Sequence, residues 1–446
     1  TATARLDALV RQAPADQPDM QNATTLRIRA FTSLLGAATL APALTLSPVA
    51  VAQDASTTQG PAASFPPSFC ERWKKMGTLY EDADNPLVQK FKVFGRLHYQ
   101  YGTLDGTTAG QDFTYDADQI RRFRTGIGGN FLDHLDLYAE AEIGNDRRPR
   151  GGDFNIRFQH MWQFKVHFDA KKAFDLDGLD MFKIGVGSRE INMSYEWVTS
   201  SKRIKTVERS AIANKIWAYN SEFANPTGVW TELGLDPVEW TLGVFSTTQD
   251  DWIAPFDDGE LYYTKMKWDL REGEGSDTDL RLAAFYQDVS VDEEVLAAGV
   301  EWTTALSLQH KTGPWEFHVE GVVGDNGDQS NAAREGDFWG LVFMPSYWIL
   351  EDSLEAAFQI QYQGASESEG IRLNSRYARR AGVRDGIPSV ENGRGDEQLT
   401  FYAGLNKLLC GHQHKVMIGV EYDTLSSEGD EIYRGWMAFV AYRTYW

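Results

Sequence analysis

From Phe91 onward the apolar residues recur with a period of two, and this limits what the chain can become. In 91–101 the odd positions are Phe91, Val93, Gly95, Leu97, Tyr99 and Tyr101, and the even ones are Lys92, Phe94, Arg96, His98 and Gln100. Neighbouring side chains of an extended strand point to opposite faces, so this stretch is a strand with one greasy and one polar side. The split returns in 156–168, where Ile156, Phe158, Trp162, Phe164, Val166 and Phe168 oppose Arg157, Gln159, Met161, Gln163, Lys165 and His167. It returns in 354–363, where Leu354, Ala356, Phe358, Ile360 and Tyr362 oppose Glu355, Ala357, Gln359, Gln361 and Gln363. The pattern predicts strands near 91–101, 118–130, 132–145, 156–168, 180–188, 228–234, 238–246 and 261–270. The second half gives 279–288, 297–308, 314–323, 338–350, 353–363, 397–409, 413–424 and 434–446.

Most of these sixteen segments have about the 9–11 residues that a tilted strand needs to cross a bilayer. After residue 60 no apolar run approaches the ~18 residues of a membrane-crossing helix, which excludes a helical membrane protein. The connections alternate in length. Tight ones fall around Phe131, Asp236, Glu351-Asp352 and Gly411-His412, and long polar ones at 102–117, 146–155, 189–227, 247–260, 324–337 and 364–396. The expected fold is all-β, a sixteen-stranded antiparallel transmembrane β-barrel with short periplasmic turns and long outer loops. A secreted β-sandwich would alternate too, but its loops would not segregate by length. In such a barrel the apolar face meets lipid and the polar face lines the lumen, so the partners are outer-membrane lipid and lipopolysaccharide. Tyr99, Tyr101, Trp302, Trp315, Trp339, Tyr347 and Trp348 would form interfacial girdles.

The residues before the barrel divide into an upstream extension of unknown role (1–19), a signal peptide (20–53) and a periplasmic lead with a short helix (54–87), with the barrel over 88–446. The signal is read from Arg27 and Arg29, the run from Phe31 to Val51, and the small residues around Ala50 and Ala52. A net charge of −21 repels nucleic acid. Cys70 and Cys410 would lie on the same oxidising side of the membrane, where they could pair. His412 and His414 approach metal-ligand spacing but have no thiol or carboxylate neighbour, so no metal or cofactor is assigned. No nucleophile motif marks a catalytic residue. A barrel lipid hydrolase using His134 or His160, and a structural or adhesive barrel with a blocked lumen, remain the alternatives to a channel.

The chain ends in an amphipathic strand, Gly435 to Trp446, with an aromatic last residue, which resembles the insertion signal of bacterial outer-membrane barrels. Gln119-Ile120-Arg121-Arg122-Phe123-Arg124-Thr125-Gly126, with the acidic return Leu135–Glu142, is similar to the phosphate-selective porin O/P family. So are the strand Phe182–Gly187, the run Glu196–Ser201 and the run Val207–Ser210. The resemblance implies a sixteen-stranded trimeric porin whose third outer loop folds inward, and 189–227 is third by position. It also implies pore arginines at Arg96, Arg121 and Arg122, with Arg124 beside them.

Residues 120–215 hold 17 Lys and Arg against 13 Asp and Glu, an excess of positive charge in a strongly acidic chain. Strand parity puts Lys92, Arg96, Arg122, Arg124, Arg157 and Lys165 inside, whereas Arg121 is placed inside only by the resemblance. Clustered guanidinium groups in a narrow lumen would hold an oxyanion such as phosphate through bidentate hydrogen bonds. Alternatively, Glu140 and Glu142, with Glu190 and Glu196, oppose the arginines across the lumen and set up a transverse field in a general porin. Both readings stay open at this point.

Overall fold

A computed structural model describes residues 67–219, 225–248, 254–257, 259–270, 276–288, 300–387, 390 and 393–446. The expected signal peptide and upstream extension lie outside the described residues, as does the lead up to residue 66. The barrel strands are β1 Val88–Thr108, β2 Gln111–Phe131, β3 Leu135–Asp146, β4 Phe154–Asp169, β5 Met181–Ser188, β6 Thr227–Leu235, β7 Val238–Ser246 and β8 Glu260–Asp269. They continue with β9 Ser276–Asp288, β10 Trp302–Thr312, β11 Trp315–Asp325, β12 Asp337–Leu350, β13 Leu354–Ala365, β14 Glu397–Leu408, β15 His414–Ser427 and β16 Asp430–Tyr445.

Each strand pairs antiparallel with the next, and β16 returns to β1 from Tyr433↔Thr108 to Tyr445↔Arg96, closing a barrel of 16 strands. Closure leaves no unpaired strand edge in lipid, where each unsatisfied backbone group would cost several kcal/mol. The faces are inverted relative to a soluble protein. Phe358, Ile360, Ile418, Val420 and Val440 are exposed, whereas Glu355, Gln359, Gln361, Gln363 and Asn406 are buried.

Three features depart from the sequence reading. The segment 102–117 is not a long outer loop: β1 and β2 run 21 residues each and meet at Ala109-Gly110. Beyond the bilayer both faces of a strand meet water, so its apolar alternation fades although the ladder continues. The second departure is that the lead carries, besides a helix at Pro67–Lys75, a strand Thr78–Glu81 paired to the periplasmic end of β1. A Cys70–Cys410 disulfide fastens that helix to the turn between β14 and β15, and Trp73 Nε1 donates to Tyr445 O at 2.5 Å. Lastly, the connection 366–396 contains the helix Arg376–Asp385, capped by Ser375 and ended by Gly386 in the left-handed conformation.

That helix and the loop between β5 and β6 turn inward and bury apolar residues inside the lumen. Ile191, Met193, Val207, Ile212 and Ile216 form one cluster with Leu373, Tyr377, Ala378 and Ala381 and with wall residues such as Phe338, Met417 and Phe439. Two wall glycines make room for them. A Cβ at Gly340 would lie 2.5 Å from Ile212, and one at Gly102 would lie 2.6 Å from the Tyr377 ring.

Candidate constriction site

The connection between β5 and β6 crosses the lumen with two short helices, Tyr195–Val198 and Ala211–Lys215, whose first turns are capped by the Ser194 and Ser210 hydroxyls. Ties reach it from both walls. Arg443 on β16 donates to Ser201 O at 3.2 Å and also to Val207 O, and Lys415 on β15 donates to Ile204 O at 2.7 Å. Lys205 reaches Glu316 at 3.0 Å and Ser346 at 2.7 Å, and it also pairs with Glu355. From the other side Arg121 grips Glu208 with two hydrogen bonds at 2.8 and 3.2 Å, and Arg96 Nη1 donates to Ser201 Oγ at 2.9 Å. Burial opposes ionisation of Glu208, but Arg121 and Arg376 overcome it and hold this carboxyl well below the usual range.

Between this loop and the β1–β5 wall lies a cavity of about 240 Å³. Its basic lining is Arg96, Arg122, Arg124, Lys165, Arg189 and Arg209, and its one acidic lining residue is Glu190. A second cavity of about 430 Å³ meets it at Tyr138 and carries Lys74, Lys92, Lys202 and Arg203. Lys92 therefore sits below the constriction, beside the disulfide-tethered helix.

Two bulges decide which side chains enter. In the β1–β2 ladder His98 pairs with Arg122 but Tyr99 with Ile120, so Arg121 is the extra residue. A bulge lets neighbours share a face, and Arg121 and Arg122 both turn inward. In the β3–β4 ladder Glu140 pairs with Gln163 and Ala141 with Met161, so Trp162 is extra. Trp162, expected on the lipid face, is buried instead, with the Arg124 guanidinium 3.1 Å from its ring centroid.

Two expectations need correcting. Arg157 is exposed and lines neither cavity; it lies where the β3–β4 pairing is irregular, between Glu142↔His160 and Gly144↔Ile156. Glu140 and Glu142 do not oppose the arginines. They stand on the same wall, where Arg124 and Glu142 are direct cross-strand partners. Arg96 meets Glu140 at 2.6 Å, and Arg124 meets Glu142 at 2.7 Å and Glu140 at 4.0 Å. Arg189 pairs with Glu232 at 2.7 Å. Among the described residues, Arg122, Lys165 and Arg209 have no carboxylate in ion-pair contact. Arg209 is held by the carbonyls of Glu196 and Thr199 at 2.8 and 3.3 Å.

A closed barrel with an apolar outer belt and a polar lumen narrowed by an inward loop defines a bacterial outer-membrane porin. Residues 91–294 match the family model described as phosphate-selective porin O and P. No curated protein matches the chain by sequence. Among solved structures, Pseudomonas putida OprB is similar at 10% identity and a TM-score of 0.51, covering 79% of this chain and 94% of its own. The anion-selective porin from Comamonas acidovorans is similar at 11% identity and a TM-score of 0.50, covering 80% and 99%. Salmonella typhi OmpF is similar at 11% and 0.50, covering 82% and 99%. At these identities the likeness speaks for the barrel fold.

Proposed function

We propose that this porin conducts small hydrophilic solutes with a preference for anions, oxyanions such as phosphate among them. The observation that carries the reading is the lining of the upper cavity, six basic side chains with one carboxylate. Three of those cations lack an ion-pair partner among the described residues. Guanidinium groups so placed can exchange water for anion oxygens through charge-assisted hydrogen bonds, and their planar forks suit phosphate and carboxylate. The transverse-field alternative loses support because Glu140 and Glu142 adjoin the arginines rather than face them. A homotrimer in outer-membrane lipid and lipopolysaccharide accords with the family, and the native mass of detergent-solubilised protein tests it.

The functional test is the reversal potential of purified protein in a planar bilayer under a KCl gradient. Anion selectivity, with chloride conductance falling as phosphate is added, is the expected result. A cation-selective reversal indifferent to phosphate would remove the reading.

A pH dependence follows from the lower cavity. Burial, and after it the Arg96 charge, push the Lys202 ammonium down to about 8. Its positive charge is present at pH 7 and lost as pH rises through that value. Anion selectivity should therefore weaken between pH 7 and 9 in wild type, and Lys202→Arg should flatten that change.

A further inference from the structure

The constriction holds two of its arginines against indole rings. Arg124 lies over Trp162, and the Arg209 guanidinium lies 3.9 Å from the Trp197 ring centroid. Both indoles are anchored by their N–H groups, Trp162 to Glu190 at 3.1 Å and Trp197 to Ala213 O at 2.8 Å. A third indole, Trp217, touches both. Its ring centroid is 4.6 Å from that of Trp197 at an interplanar angle of 20°, and 5.7 Å from that of Trp162 at 31°. Trp162 and Trp197 form a buried cluster with Ala213, and the half-buried Trp217 packs against it without lining the cavity.

We propose that Trp217 is a positioning residue of the anion filter: it braces Trp162 and Trp197 as flat supports that fix Arg124 and Arg209 in the constriction. A carboxylate fixes a guanidinium too but cancels its charge, as Glu142 does in part for Arg124; Arg209 has no such pair among the described residues. A ring face attracts the cation through its quadrupole and leaves the N–H edges and the full charge available to a passing anion. For Arg209, which has no carboxylate in ion-pair contact among the described residues and feels Glu190 and Glu196 only from further off, this support helps to keep the charged group in place. The same stack joins β4 to the inward loop, so it sets the distance between the two arginines. This inference rests on the anion-selective reading above.

The test compares Trp217→Met, which keeps bulk and loses the ring, with Trp217→Phe, which keeps a ring. Each is inserted in planar bilayers after heat-modifiable migration on gels shows a folded barrel, with Trp217→Leu replacing the Met variant should that one not insert. The anion-to-cation permeability ratio should fall roughly threefold or more in the Met variant, the scale of one desolvated cation–π contact, and the Phe variant should restore most of it. Combining Trp217→Met with Arg209→Ala should lower the ratio by clearly less than the product of the two single effects, because part of the Trp217 effect acts through the Arg209 guanidinium. Equal ratios in the Met and Phe variants, or fully additive effects with Arg209→Ala, would reduce Trp217 to packing and overturn the proposal. A wild-type channel without anion selectivity would instead remove the functional reading, and this inference with it.

Discussion

Arg122→Glu should turn the channel from anion-preferring to cation-preferring while leaving the size of its conductance close to wild type. Arg122 is buried in the upper cavity wall, and no carboxylate pairs with it among the described residues. The substitution therefore moves the local charge by two units and sets a carboxylate against the neighbouring Arg124 and Arg209. At about 7 Å and an effective dielectric of ~20, each unit is worth about 2 kcal/mol to a permeating ion. Salt screening cuts this, but a loss of at least about tenfold in the anion-to-cation permeability ratio survives a generous discount. Conductance should hold because the ties that fix the inward loop come from Arg121, Arg443, Lys415 and Lys205. Arg157→Glu is the matched control: it makes the same change of charge at an exposed position outside both cavities. Reversal potentials of the two variants in one gradient decide the matter. Equal shifts would mean that overall charge, rather than this cavity, sets selectivity.

The two variants also mark how far the sequence could be read. The alternation in 354–363 assigns the faces of β13 correctly because its wall meets lipid on one side and water on the other over its whole length. The same count fails in β4, where Trp162 is an extra residue and Arg157 lies in the irregular pairing below it. In 156–168 the apolar alternation runs through Trp162 without a break, so the bulge there leaves no mark in the sequence pattern. Likewise parity admitted Arg122 alone to the lumen, and the bulge in the ladder brings Arg121 in beside it. The helix Arg376–Asp385 was legible in principle, with Ser375 as its cap, Tyr377, Ala378 and Ala381 on one face and Gly386 after its end. Its many arginines make the segment read as a polar outer loop. The Trp162–Trp217–Trp197 contact joins residues from a strand and an inward loop, and no local pattern carries such a meeting.

Arg443→Ala should open the channel rather than change its sign. Arg443 is fully buried, and its guanidinium holds two carbonyls of the inward loop, those of Ser201 and Val207. Truncation leaves both acceptors without this donor and creates a void in the wall. Hydrogen bonds from a charged donor contribute about 1.5–3 kcal/mol each, so the loop loses roughly 3–6 kcal/mol of attachment. Of the remaining ties of this segment, Lys415 to Ile204 O and the Tyr445 hydroxyl to Ser201 O at 3.0 Å are themselves neighbours of Arg443. That leaves Arg96 to Ser201 Oγ, Asn406 to Lys205 O and the Lys205 contacts to Glu316, Ser346 and Glu355. The stretch 201–207 should therefore leave its seat, raising single-channel conductance roughly twofold or more as the narrowest section widens. Selectivity should weaken with it, because Arg96 loses Ser201 as a partner and Arg209 shifts with the loop. Arg443→Lys keeps the charge but lacks the planar fork, so it should fall between wild type and the Ala variant. The barrel wall is held by backbone pairing along β15, β16 and β1, so heat-modifiable migration should persist in both variants. Unchanged conductance in a folded Arg443→Ala barrel would mean that the loop does not set the narrowest section, and the constriction would have to be sought at the inward helix Arg376–Asp385.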